Sequence, residues 1–127
     1  MEGKPHSVFV VDDEKYVRKL LSRILEKSGF RVILAKNGQE CIDILEREVP
    51  DIILLDIKMP VMNGFEVLNY LGSSERFSNL PVILLTNSDD EIYPLRATLK
   101  GYHDFVLKAN VSLEDISSRV KRRLGLI

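Results

Sequence analysis

The stretch VFVVDDEK, Val8 to Lys15, sets the frame for the whole chain. Its four leading residues are apolar without alternation, which is how a strand covered on both faces reads in a parallel sheet. The run then ends abruptly in Asp12, Asp13 and Glu14. Carboxylates this close repel one another: at ~6 Å and an effective dielectric near 20, each ionised pair costs roughly 3 kcal/mol. Either the three splay into water, or a positive group belongs between them.

Working outward, two more runs of the same kind follow, DIILLDI (51–57) and PVILLTN (81–87). Two weaker ones, RVILA (31–35) and DFVL (104–107), complete a set of five. These are the expected strands, β1 (7–11), β2 (31–35), β3 (51–57), β4 (81–87) and β5 (104–107). Helical patterns fall between them. Val17, Leu20, Leu21, Ile24 and Leu25 share one face of a first helix, α1, which Gly29 stops and in whose first turn Glu14 is expected as a helix acid. Lys15, Arg18, Lys19, Arg23 and Lys27 lie mostly around its other side. The next, α2, starts at NGQE, where Asn37 can cap and Glu40 stands three residues on; it buries Ile42, Leu45 and Cys41. The third, α3, runs from about Gly64 to Leu71, and α4 from about Pro94 to Lys100, with the proline in the first turn. The last, α5, opens with SLED at Ser112 to Asp115 and carries Leu113, Ile116, Val120 and Leu124.

Strict alternation of strand and helix predicts an α/β fold, a (βα)5 doubly wound five-stranded parallel sheet with helices on both faces. The common order is 2-1-3-4-5, the flavodoxin-like three-layer sandwich, with a crevice at the carboxyl ends of β1 and β3. With 127 residues, 45% of them hydrophobic, and no repeat or linker, the chain reads as a single domain over residues 1–127. A net charge of −1 argues against a nucleic-acid partner. The lone Cys41 leaves no internal disulfide and suits a reducing cytoplasm. No apolar run approaches the ~20 residues of a membrane span, and MEGKPHS at the N-terminus lacks a signal peptide's apolar stretch.

That topology turns the acids into a candidate site. Asp12 and Asp13 follow β1 and Asp56 follows the core of β3, so all three meet at neighbouring strand ends, with Thr86 and Lys108 on the same edge. Three carboxylates there suggest a hard cation such as Mg2+, which takes oxygen ligands and keeps positions for phosphate oxygens. A carboxylate beside it can act as a nucleophile toward phosphorus, while an ammonium and a hydroxyl meet the phosphoryl oxygens.

At these residues the sequence resembles a response-regulator receiver domain, the phospho-acceptor module of two-component signalling. The resemblance runs from FVVDDE through DIILLDIKMPVMNG and PVILLTN to GYHDFVLK and the final helix; DIKMPVMNG, Asp56 to Gly64, is its most specific part. It implies phosphorylation of Asp56 by a histidine kinase or histidine phosphotransfer protein. It implies Mg2+, with Mn2+ as a substitute, on Asp12, Asp13, Asp56 and the backbone carbonyl of Lys58. Lys108 and Thr86 would bind the phosphoryl group, and Phe105 would be the rotating aromatic that reports it to the α4-β5-α5 face, where a downstream protein binds. Homodimerisation on phosphorylation is left open. The expected chemistry is self-directed phosphorylation and dephosphorylation rather than enzymatic turnover, and the expected setting is cytoplasmic, with no membrane or nucleic-acid partner. Two positions depart from the family: Ala109 stands where a proline usually follows the lysine, and Tyr102 where a small residue usually follows the glycine.

Two rivals share parts of this pattern. A haloacid-dehalogenase-like phosphatase also uses a strand-end Asp and Mg2+, but needs a second Asp where this chain has Lys58. A flavodoxin-like FMN carrier needs a phosphate-cradling loop after β1, where acids would repel the phosphate. His6 and His103 stand far apart without a further ligand in sequence, which argues against zinc.

Overall fold

Five strands pair in parallel in the order β2-β1-β3-β4-β5, as the alternation predicts. The computed structural model describes residues 5–87, 103–108 and 112–127. The strands are β1 Ser7–Val11, β2 Arg31–Ala35, β3 Ile52–Asp56, β4 Val82–Thr86 and β5 His103–Leu107. The described helices are α1 Lys15–Lys27, α2 Gly38–Leu45, α3 Gly64–Gly72 and α5 Leu113–Arg123. The expected α4, and the departures at Tyr102 and Ala109, lie outside the described residues.

Every residue of β1, β3 and β4 is buried, because the strands' period of two sends alternate side chains into two separate cores. Phe9, Val11, Ile53, Leu55, Val82 and Leu84 join Cys41, Leu45, Val67 and Leu71 of α2 and α3 on one face. Val8, Val10, Ile52, Leu54, Ile83 and Leu85 join Leu21 and Leu25 of α1 and Ile116 and Val120 of α5 on the other. Near-continuous apolar strands therefore follow directly from two-sided burial. The edge strand β2 is more open, and its Leu34 is exposed.

Local chemistry sets the helix ends. Gly29, at φ +94°, lets the chain after α1 turn back: Gly29 N–H donates to Glu26 O at 3.0 Å and Phe30 N–H to Leu25 O at 3.0 Å. That is a Schellman motif, with Phe30 and Leu25 sharing one core. Asn37 Oδ1 accepts from Glu40 N–H at 2.8 Å and Ser112 Oγ from Asp115 N–H at 3.2 Å, the two caps anticipated from sequence. Asn63 and Glu66 form a reciprocal capping box on α3.

The loop from β3 to α3 is pinned from both sides. Gly64 N–H donates to Ile57 O at 2.8 Å, and Gly38 N–H of α2 reaches across to Met62 O at 3.0 Å. Between these pins Met62 N–H donates to Pro60 O at 2.7 Å around Val61, whose φ is 70°. A β-branched residue in that region costs on the order of 1–3 kcal/mol and persists only where its surroundings impose it. Replacing the exposed Val61 by Gly is expected to raise stability by about 1 kcal/mol in urea titration, since glycine adopts positive φ freely. Gly64→Ala should do the opposite. Its Cβ would sit 2.5 Å from Asp56 O and 2.9 Å from Ile57 Cα, both backbone atoms, so a loss of about 2–3 kcal/mol is expected in the same assay.

Candidate functional site

Strand register builds the site. Val11 pairs with Leu55, so the next residues along the two strands, Asp12 and Asp56, come side by side. Asp56 pairs with Leu85 and Thr86 with Leu107, which brings Thr86 and Lys108 to the same rim. Parity then sorts the side chains. Asp12 continues the series of Val8 and Val10, Asp56 that of Ile52 and Leu54, and Lys108 that of Val106, all on the α1/α5 side.

Asp12 is fully buried, Asp56 is 2% exposed, and Asp13 stands exposed beside them. Each of the three offers a carboxylate oxygen, and those atoms lie within 4.8 Å of one another. Lys108 Nζ bridges the buried pair, 2.8 Å from Asp12 Oδ2 and 3.2 Å from Asp56 Oδ1. The lysine can sit this deep because its aliphatic stem helps line an apolar groove of about 320 Å3 between α1 and α5, beside Leu20, Leu85, Val106 and Ile116.

One ammonium against three carboxylates leaves a net charge of −2 when all are ionised. At 4.8 Å and an effective dielectric near 20, each like pair costs roughly 3–4 kcal/mol. The structure registers that cost on Asp56. Burial, then the charge of Asp12 and hydrogen bonding with Asp13, push its pKa up to about 7 against the pull of Lys108. Burial alone would lower Lys108, but contact with Asp12 and the charges of Asp12 and Asp56 outweigh it and hold the ammonium above its ordinary value. Asp12 Oδ2 is buried without an aligned hydrogen bond, held to Lys108 by proximity of charge. A buried, hydrogen-bond-deficient carboxylate oxygen in a group of three acids fits a divalent cation with oxygen ligands.

The remaining expected residues are placed as follows. Thr86 is fully buried at the end of β4, and its carbonyl accepts from Lys108 N–H at 2.7 Å. Phe105 is partly buried in β5 and packs on the α2/α3-side core. Lys58 is exposed in the loop two residues beyond Asp56. Cys41 is inert core, its thiol pushed up to about 12 by burial. Glu14 differs from the first-turn helix acid that its position suggests. It is the N-cap residue of α1, makes no side-chain cap bond, and lies 3.5 Å from Lys108 Nζ. Sequence reading also missed Arg18, whose Nη1 donates to Asp12 O at 2.7 Å. The usable signal was its place one turn into α1, since helical side chains lean toward the N-terminus.

The raised Asp56 pKa ties stability to pH. Below its unfolded value of 3.8 the carboxyl is protonated in both states; as pH rises toward about 7 the unfolded chain releases a proton that the folded chain keeps. The contribution of Asp56 is thus present at low pH and lost as pH passes through about 7. In metal-free urea titrations, the stability advantage of Asp56→Asn over wild type is expected to grow by up to roughly 4 kcal/mol between pH 4 and 7.5, then level off. A difference that stays flat with pH would contradict this.

Comparison with known proteins agrees with that geometry. Residues 8–121 match the family model described as response regulator receiver domain. The signal receiver domain of a signal transduction histidine kinase from Syntrophus aciditrophicus is similar at 31% identity, covering 94% of this chain and 90% of that one, with a TM-score of 0.84. The chemotaxis response regulator CheY4 of Vibrio cholerae is 26% identical over 94% of this chain and 98% of its own, with a TM-score of 0.83. The BeF3-activated receiver domain of nitrogen regulatory protein C is 30% identical over 97% of both chains, with a TM-score of 0.79. A sheet of order 2-1-3-4-5 whose strand ends gather three acids and a lysine is thus found in a chain that belongs to the response regulator receiver domain family.

Proposed function

We propose that this receiver domain accepts a phosphoryl group on Asp56 from a histidine kinase or histidine phosphotransfer protein and passes the change to its α4-β5-α5 face. The observation that carries this reading is the convergence of Asp12, Asp13 and Asp56, with Lys108 already bridging two of them. Asp12, Asp13, Asp56 and the Lys58 backbone carbonyl would hold Mg2+, with Mn2+ as a substitute. Bound there, the cation offsets the acidic charge and supplies a positive centre for phosphoryl oxygens.

The chain's own groups do the rest. An ionised Asp56 oxygen attacks phosphorus; the new O–P bond forms as the P–N bond of phosphohistidine breaks, and its electron pair stays on the imidazole nitrogen. Lys108 lies 3.2 Å from Asp56 and is placed to follow the negative charge onto the phosphoryl oxygens. Thr86, at the end of the neighbouring strand, donates its hydroxyl to another of those oxygens. Phe105, partly buried in β5, repacks as Thr86 moves, and a downstream protein reads the altered surface; association of two such domains is a further outcome of the same change. The domain carries and loses its own phosphoryl group rather than turning over a substrate. No described helix is long and apolar enough to cross a membrane, and a cytoplasmic site of action is part of the same proposal.

Incubation with acetyl phosphate and Mg2+, followed by intact-mass measurement, tests the assignment. Wild type is expected to gain one phosphoryl group, and both Asp56→Asn and chelation of the metal should abolish it. Unchanged labelling of Asp56→Asn would assign the phosphoryl group elsewhere.

A further inference from the structure

Asp12 is held at three atoms, and only one of its oxygens is left for a ligand. Its N–H donates to Ala35 O at 3.1 Å, the last rung between β1 and the β2 end. Beyond that rung the neighbouring chain turns away into α2, which Asn37 caps. Among the described residues no backbone N–H reaches the Asp12 carbonyl. Arg18 Nη1 fills that place at 2.7 Å, from a residue whose own N–H is fixed to Glu14 O at 3.1 Å. On the side chain, Oδ1 accepts from Glu14 N–H at 2.9 Å. Oδ2, buried and without an aligned hydrogen bond, is the atom facing Lys108 and the other acids.

We propose that Arg18 is a positioning residue for divalent-cation binding: by tying the Asp12 carbonyl to α1, it fixes the β1–α1 turn so that Asp12 Oδ2 and Asp13 meet Asp56. The proposal rests on the reading of those three acids as the cation site. It has a definite sign. Arg18 is a permanent positive charge on the acidic turn, so if it acted by charge alone, removing it would tighten cation binding. If it acts by holding the turn, removing it weakens binding, as loss of a supporting partner does at metal sites, by roughly tenfold or more.

Mg2+ titration of the metal-free protein, followed by backbone amide shifts of the β1–α1 turn, distinguishes the two. Arg18→Met is expected to raise the Mg2+ dissociation constant about tenfold, and Arg18→Lys, which keeps one donor, to fall between it and wild type. Arg23→Met, an exposed position on the same helix, should leave the constant unchanged. Binding by Arg18→Met as tight as wild type, or tighter, overturns the proposal. If Arg18→Met does not fold, Arg18→Gln carries the same test, with weaker binding as support and equal or tighter binding as refutation. Wild type that fails to bind Mg2+, or Asp13→Asn that binds it equally well, would instead overturn the cation-site reading.

Discussion

The parallel pairing of β1 with β3 is the constraint on which the site depends. Once Val11 lies opposite Leu55, Asp12 and Asp56 have no choice of neighbour, and burial denies them water. Two carboxylates in that position repel by several kcal/mol unless a cation intervenes. Lys108 is the cation this chain supplies from its own sequence, and it reaches the pair from β5, two strands away from β3. The sheet therefore holds together a charge arrangement that would disperse in any flexible segment.

Such an arrangement needs rigid surroundings, and the neighbouring turns provide them. The β3–α3 loop is closed by Gly64 to Ile57 and tied to α2 through Gly38 and Met62, so strain at Val61 stays local. The β1–α1 turn is closed by Asp12 Oδ1 on Glu14 N–H and by Arg18 on the Asp12 carbonyl. On the far side of α1, Ser28 and Ser117 share a hydrogen bond of 2.7 Å, and Arg119 of α5 pairs with Asp104 of β5 at 3.2 Å. The helix on the α1/α5 face is thus linked both to the strand that carries Lys108 and to the helix that begins at the acids.

Much of this was legible from residue order. Continuous apolar runs announced two-sided burial because period-two alternation disappears when both faces are covered. The caps at Asn37 and Ser112 and the stop at Gly29 were readable because capping depends on residues within one turn. Asp12, Asp13, Asp56, Thr86 and Lys108 could be brought to one rim from topology alone, since every parallel strand ends there. Glu14 was misread as an ordinary first-turn acid because its partner, Lys108, is remote in sequence. Arg18 looked like one more solvated cation, because a backbone carbonyl left without a rung is visible only after the strands are paired.

What the sequence by itself determined was the fold and the cast of the site: five parallel strands, their winding, and which acids, hydroxyl and amine share an edge. What only the tertiary structure decided was how those groups divide the charge among them. Register placed Lys108 between Asp12 and Asp56 rather than in solvent, and burial, not sequence proximity, raised Asp56 while leaving one oxygen of Asp12 short of a hydrogen bond. The physical reason is range. Hydrophobic periodicity and capping act over a few residues and can be read along the chain, whereas desolvation and Coulomb interactions depend on distances that exist only once the strands lie side by side.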